Sequence, residues 1–422
     1  MTHILDELTW RGLIAQHTDL DALRAALDAG PVTYYCGFDP TAPSLHHGHL
    51  VQAILLRHLQ LAGHRPIALV GGATGLIGDP RMSGERVLNS AQTVAAWTER
   101  LRGQLERFLD FEGENAATLV NNLDWTASLG AIDLLRDVGK HFRLGTMLAK
   151  DTVARRLESA EGISFTEFSY QLLQANDFRE LYRRHGVTLQ SGGNDQWGNL
   201  LGGVELIRKA EGVAVHAMTT PLITKADGTK FGKTEGGAIW LDPDMFSPYA
   251  FYQFWLNQDD ADVERMLKVF TFLGREEIDA LVAEVAARPQ ARAGQRRLAQ
   301  EVTTFVHGAE STERVERATA ALWGGDDLRT LDERTLRDAV AEVPRGTARV
   351  GASTIVDLLV DTGLEKGRSA ARRTVASGGA YLNNVKVADE DAVLTADDVL
   401  PGGVVLVRKG RRNLAVGEVE AG

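Results

Sequence analysis

Val32 to Phe38 is apolar and strand-like, and it runs into a turn containing Gly37, Asp39, Pro40 and Thr41 before His46-His47-Gly48-His49-Leu50 opens a helical pattern. Leu50, Ile54, Leu55, Leu59 and Leu61 recur at roughly helical spacing up to a second apolar run, Pro66 to Gly72. Strand, helix and strand of these lengths form a βαβ unit, which commits the chain to a parallel sheet covered by helices. The glycines of Gly71-Gly72-Ala73-Thr74-Gly75-Leu76-Ile77-Gly78-Asp79-Pro80 permit close backbone approach to a ligand at the C-terminal end of the second strand.

Residues 93–182 read mainly helical, with a break over Val120 to Trp125. Val187 to Gly193 reads as a strand, Gly193-Asn194-Asp195-Gln196-Trp197 as the start of a helix, and Val213 to Thr224 as a further strand. From Ser247 to Val343 the pattern is mostly helical, with apolar clusters at Met266, Leu267, Val269 and Phe270 and at Ile278, Leu281, Val282 and Val285. Pro344 to Gly351 reads as a linker, and two helices (Ser353 to Thr362, Gly367 to Ala376) and short strands follow. At 422 residues the chain has room for two or three domains. A net charge of −11 argues against a generally basic nucleic-acid binder, so any RNA contact must use local basic patches. The single cysteine, Cys36, excludes an internal disulfide framework and a cysteine-built zinc site. No apolar run approaches the roughly 18 residues that span a bilayer, and Met1 to Arg11 has no apolar signal-peptide core. A cytoplasmic location is expected.

His46 and His49, three residues apart at a helix start, share one face. With the orphan N–H groups of the first turn they can hold negative charge developing on phosphorus. Alone, the pair is equally a set of surface histidines near a cap. Lys230 and Lys233 lie far downstream in Asp227-Gly228-Thr229-Lys230-Phe231-Gly232-Lys233-Thr234, where the glycines make a turn or mobile loop. Two lysines there suit the β- and γ-phosphates of a nucleotide. In this order the two motifs point to the triphosphate of ATP. Tyr170, Gln174 and Asp177 fall at i, i+4 and i+7, on one helical face. They form either a polar stripe toward solvent or a buried set whose cost a ligand offsets.

The histidine and lysine motifs resemble the HIGH and KMSKS signatures of class I aminoacyl-tRNA synthetases, in the variant found in bacterial tyrosyl-tRNA synthetases. The resemblance covers nearly the whole chain: Tyr35 to Leu50, the 71–80 turn, Asn121-Asn122, Tyr170 to Phe178, Gly193 to Trp197, the lysine loop, Tyr252-Gln253-Phe254-Trp255-Leu256-Asn257 and the C-terminal module. It implies an α/β fold. A Rossmann-like, parallel-sheet catalytic domain would span 1–246, with a helical insertion over about 93–190. An all-α anticodon-recognition domain would follow over 247–343, then a linker over 344–351 and a small α+β S4-like RNA-binding domain over 352–422.

The resemblance also implies site residues. Tyr35 and Asp177 would meet the phenol of a tyrosine substrate, Asp79, Tyr170 and Gln174 its ammonium, and Gln196 would lie near its carboxylate. Cys36 and Asp195 would meet the ATP ribose, while Gly37, Asp39, Gly48 and Gly193 would make or allow close contacts. Thr41, His46, His49, Arg86, Lys230 and Lys233 would stabilise the reacting phosphates, with Thr234 in the ATP site. Cys36 is expected to be a buried, inert thiol. Lys366, Arg368, Arg372, Arg373, Arg408, Lys409, Arg411 and Arg412 would contact RNA. Magnesium would accompany ATP with no set of protein ligands, tRNA(Tyr) would be the acceptor, and the family's homodimer interface would lie around Phe142 to Phe165.

This chain departs from the family pattern at three places. His47 replaces the usual Ile, Gln52 stands where many relatives have Thr or Pro, and the 81–86 loop is shorter than in several relatives and lacks a lysine. The rival readings are a tryptophanyl enzyme of the same fold, a non-catalytic RNA-binding paralogue and a small-metabolite ligase. The Tyr35/Asp177 pair, the intact motifs and the C-terminal domains weigh against them in turn.

Overall fold

The computed structural model describes residues 2–422 apart from 82, 83, 85–87, 161, 226, 227, 230, 235, 236, 325, 326, 342, 411, 412, 421 and 422. The chain forms two compact units, one of residues 1–246 and 256–306, the other of residues 247–255 and 307–422. The helices of 247–343 are thus divided between them.

Among its described residues the first unit contains strands β1 (Gln16–His17), β2 (Thr33–Phe38), β3 (Arg65–Val70), β4 (Thr118–Asn121), β5 (Leu189–Gly193) and β6 (His216–Thr220) in the spatial order β1-β6-β5-β2-β3-β4. All neighbours are parallel except β1 with β6. β2 is central, with Tyr35 opposite Ile67 on one side and Gln190 on the other. From β2 the chain steps outward to β3 and β4, and later returns on the other side as β5 and β6. The crevice at this reversal, beyond the C-terminal ends of β2 and β5, is where open α/β sheets bind ligands. The expected break at 120–125 is this sheet's last strand, β4, followed by a single helical turn (Leu123–Thr126).

Helix α1 (His47–Leu61) crosses from β2 to β3 and is buried on most sides, with Leu50, Ile54, Leu55 and Leu59 inaccessible. Helix α2 (Phe165–His185) begins where the Ser164 hydroxyl accepts the Glu167 N–H, and stops at Gly186 in the left-handed conformation (φ 66°). Helix α3 (Trp197–Glu211) packs on α2 at Gly203, where a Cβ would lie 2.9 Å from Phe178 Cδ1. Phe178, Leu181, Ile207, Val215 and Tyr35 form one core with Ile67 and Leu69 of β3, so the packing of α2 sets the depth of the crevice.

In the second unit, strands β9 (Arg345–Ala348), β10 (Ala380–Leu382), β11 (Val385–Lys386), β12 (Val404–Lys409) and β13 (Asn413–Val419) form a sheet in the order β11-β10-β12-β13-β9. Helices Ile355–Asp361 and Arg368–Ala376 cover it through Ile355, Val356, Leu359, Ala371 and Val375. Residues 344–351, expected as a linker, carry β9, which runs parallel to β13 with Gly346 opposite Gly417. Gly346 passes so close to the end of the covering helix that a Cβ would lie 2.8 Å from the Asp361 carbonyl carbon. A short strand made of Arg, Gly and Thr with one buried alanine has no apolar alternation to signal it. Among the described residues, no helix is long and apolar enough to cross a membrane.

Candidate active site

The β2–α1 turn builds the histidine pair. His46 is the N-cap of α1, and its Nδ1 accepts the Gly48 N–H (3.0 Å) while His49 Nδ1 accepts the His46 N–H (3.2 Å). The rings stack with centroids 4.0 Å apart. A nitrogen that accepts a backbone N–H carries no proton, so each neutral ring holds its proton on Nε2. Burial pushes both rings below the ordinary histidine pKa. The pair therefore presents neutral Nε2–H donors at neutral pH. Gly48 is required sterically, since a Cβ there would lie 2.9 Å from His46 Cε1. Thr41 is exposed in the same turn.

Deeper in the crevice, Asp177 on α2 is 3 % exposed and accepts Trp125 Nε1–H (2.8 Å) on one oxygen and Asn122 Nδ2–H (3.0 Å) on the other. Burial outweighs these donors and lifts its carboxyl to about 7. Tyr35, 1 % exposed, lies close enough for the Asp177 charge to raise its own pKa further, yet its hydroxyl has no hydrogen-bond partner. Gln174 Oε1, one turn earlier on α2, is also buried and unpartnered. Buried polar atoms without partners are uncommon in native proteins, and Tyr35 and Gln174 each leave one open to a ligand's polar group. The stripe Tyr170, Gln174, Asp177 thus faces inward, with Tyr170 and Asp177 buried and Gln174 half-buried.

Tyr170 donates its hydroxyl to Asp39 Oδ2 (2.7 Å), and Thr74 donates to Asp39 Oδ1 (2.6 Å). Asp79 accepts from Gln196 Nε2 (2.9 Å) and Asn199 Nδ2 (3.1 Å), and burial raises it to about 6. Lys150 Nζ donates to Asn199 Oδ1 (3.3 Å), and burial lowers it to about 8 against the pull of Asp79. Asp195 is exposed at the end of β5, beside Gly193, where a Cβ would lie 2.6 Å from Asp195 Oδ1. Cys36 is buried, its thiol pushed up to about 12 by desolvation, with Gln52 Oε1 at 3.8 Å. Gln52 itself donates to Thr220 (2.5 Å). Gly37 lies exposed at the edge of β2, where a Cβ would meet only Leu69 Cδ2, at 3.7 Å.

The crevice therefore assembles Tyr35, Cys36, Asp39, His46, His49, Asp79, Tyr170, Gln174, Asp177, Asp195 and Gln196 around the ends of β2, β3 and β5. Arg86 and Lys230 lie outside the described residues, as do Arg411 and Arg412. Lys233–Thr234 forms β7, paired with β8 (Gly237–Ala238). In the second unit Arg368 pairs with Asp357 (2.5 Å), Arg372 with Glu390 (3.5 Å) and Lys409 with Glu365 (2.9 Å). Arg408 stacks on Trp323 at 5.0 Å, and Lys366 and Arg373 are exposed. Sequence reasoning missed Asn122, Trp125, Thr74, Lys150 and Asn199 as the supports of the three carboxylates. Asn122 and Thr74 formed part of matched motifs, but Trp125, Lys150 and Asn199 carry no local signal.

Two perturbed carboxyls give stability a pH dependence. A carboxyl whose folded pKa lies above its unfolded value binds protons more tightly when folded, so stability falls as pH rises between the two values. For Asp177 that window runs from 3.8 to about 7. Asp177→Asn is expected to flatten the fall in urea midpoint over this range, and a slope equal to wild type would remove Asp177 as its source.

The profile described as tRNA synthetases class I (W and Y) matches residues 27–324. That of the tyrosine–tRNA ligase SYY-like C-terminal domain matches residues 335–416. The tyrosine–tRNA ligase of Streptomyces coelicolor is 62 % identical over 421 residues, covering 99 % of both chains. That of Acidothermus cellulolyticus is 59 % identical over 420 residues, covering 98 % of this chain and 99 % of its own. The solved C-terminally truncated mitochondrial tyrosyl-tRNA synthetase of Coccidioides posadasii is 33 % identical with a TM-score of 0.67, covering 75 % of this chain and 92 % of that one. On these matches, the chain belongs to the tyrosine–tRNA ligases of the class I tRNA synthetase family.

Proposed function

We propose that this enzyme joins L-tyrosine to tRNA(Tyr) in two steps in the crevice at the ends of β2 and β5. The tyrosine carboxylate attacks the α-phosphorus of ATP, forming the tyrosyl-adenylate as pyrophosphate leaves. A hydroxyl of the 3′-terminal adenosine of the tRNA then attacks the tyrosyl carbonyl, and AMP leaves. The observation that carries the reading is the unpartnered Tyr35 hydroxyl beside Asp177, whose two other donors are already in place. One phenol hydroxyl completes that set.

In this reading Tyr170, Gln174 and Asp79 receive the ammonium, with Asp39 and Thr74 holding Tyr170 in place, and Gln196 lies by the carboxylate. Cys36 and Asp195 approach the ribose, and Gly37, Asp39, Gly48 and Gly193 leave room for the nucleotide. Thr41, His46 and His49 from the helix start, with Arg86, Lys230, Lys233 and Thr234, stabilise charge on the departing phosphates. Magnesium arrives with ATP as part of the substrate. Residues 1–246 act as the catalytic domain, the helices of 247–343 recognise the anticodon, and 344–422, including β9, bind RNA. Lys366 and Arg373 are the exposed starting points of that RNA contact, and Arg368, Arg372, Arg408, Lys409, Arg411 and Arg412 add to it. The enzyme works in the cytoplasm as a homodimer. Exposed Leu144, Leu148 and Phe165 (75 % accessible) support an interface in the 142–165 region.

The test is ATP–pyrophosphate exchange without tRNA, comparing tyrosine, phenylalanine and tryptophan. Exchange with tyrosine alone is expected, and equal exchange with tryptophan would overturn the phenol reading. Lys233→Ala is expected to slow adenylate formation by about 10²- to 10³-fold with tyrosine affinity intact. A parallel loss of affinity would remove Lys233 from the phosphate role.

A further inference from the structure

We propose that His47 is a positioning residue for adenylate formation, its imidazole forming the seat on which Phe231 and Gly232 of the lysine loop rest. His47 is the first residue of α1, between the two stacked histidines. Its own N–H donates to the Ile239 carbonyl (3.0 Å), and His46 bridges to Trp240. The chain just beyond the loop is therefore stitched to the helix start. The ring meets Phe231 edge-on, with centroids 5.6 Å apart and planes at 75°. Phe231 is 3 % exposed and also packs on Phe270 at 5.9 Å. Gly232 lies directly against the imidazole, since a Cβ there would be 2.1 Å from His47 Cε1. Its φ of 75° independently favours glycine.

Burial, then the neighbouring His46, lowers the ring's pKa to about 4, so it stays neutral at working pH. The Phe231 backbone beside the ring partly opposes this fall, while the ring's Nδ1 is buried without a hydrogen-bond partner. Nothing in the adenylation chemistry needs this third histidine, whose ring lies between His46 (centroids 5.4 Å apart) and the loop's Phe231. Lys230 directly precedes Phe231 and Lys233 directly follows Gly232. Consecutive Cα atoms are about 3.8 Å apart, so fixing Phe231 and Gly232 fixes where the backbone of Lys233 begins. An aliphatic side chain at this position could fill the space but offers Phe231 and Gly232 no aromatic face or polar edge.

The inference rests on the reading of the loop lysines as phosphate ligands, and the experiment separates the two. Adenylate formation is followed by stopped flow in His47→Ala, Lys233→Ala and the double variant, with tyrosine KM and the urea midpoint measured alongside. His47→Ala is expected to slow the step about 10- to 100-fold at unchanged tyrosine KM. In the Lys233→Ala background it should cost less than about threefold, because a misplaced lysine that is already absent has nothing more to lose. Equal factors in both backgrounds, or a wild-type rate in His47→Ala, would overturn the proposal while leaving the lysine reading intact. A wild-type rate in Lys233→Ala would overturn both. Should alanine lower the urea midpoint, His47→Ile keeps the bulk and carries the same double-variant test, with an expected loss of about three- to tenfold.

Discussion

Asp177→Asn is expected to lower kcat/KM for tyrosine by about 10²- to 10⁴-fold while leaving phenylalanine nearly where it was. The reason is a count of donors. Trp125 Nε1–H and Asn122 Nδ2–H already point at the two Asp177 oxygens, and the substrate phenol brings a third donor in the proposed reading. A carboxylate can accept all three, whereas an amide presents one oxygen and one NH₂. The asparagine must turn its NH₂ toward Trp125, Asn122 or the phenol, so one buried donor loses its acceptor. A hydrogen bond to a charged group contributes about 1.5–3 kcal/mol, and an unsatisfied buried group costs about 1–3 kcal/mol more. Phenylalanine makes no such bond and loses only the shape of the pocket. Pyrophosphate exchange with both amino acids reads the ratio. Equal losses for the two would show that Asp177 holds the fold of the crevice rather than the phenol. Tyr35→Phe should act in the same direction but more weakly, because it removes an uncharged partner.

The second large effect is expected from His46→Ala, which should slow adenylate formation by about 10²- to 10³-fold. His46 does two separable things. Its Nδ1 caps α1 by accepting the Gly48 N–H, a contribution of about 1 kcal/mol to stability. Its Nε2–H is free to meet charge developing on the phosphates. Asparagine is a good N-cap but cannot place a donor where Nε2 stands. His46→Asn is therefore expected to recover the urea midpoint but not the rate. Recovery of both would mean that the residue serves only as a cap. Because burial holds the ring below its ordinary pKa, the rate should show no histidine titration between about pH 7 and 9. A rate that rose steadily through that range would contradict a neutral donor.

Much of this protein is legible in local pattern. Tyr34, Tyr35, Cys36 and Phe38 form a continuous apolar strand, and the helical spacing after His49 leaves only a parallel sheet as the way to bury both. The histidine and lysine motifs are readable for the same reason, since each is a short segment whose chemistry depends on neighbours in the chain. Strand β9 was not legible, because Arg345, Gly346 and Thr347 owe their extended backbone to β13, some seventy residues away. Strand β4 likewise gains its identity from β3 rather than from its own four residues.

The site divides along the same line. The sequence alone determined the α/β class, the order of the motifs and the residues able to bind a phenol and a triphosphate, because these follow from residue type and spacing. Only the tertiary structure decided that the Tyr35 hydroxyl is left unpaired beside Asp177 and that Trp125 and Asn122 fill that carboxylate's other positions. It also decided that the His47 ring, beside His46, meets Phe231 and Gly232. These are properties of groups brought together from distant parts of the chain, where burial sets both the cost of an unmade hydrogen bond and the proton each group holds.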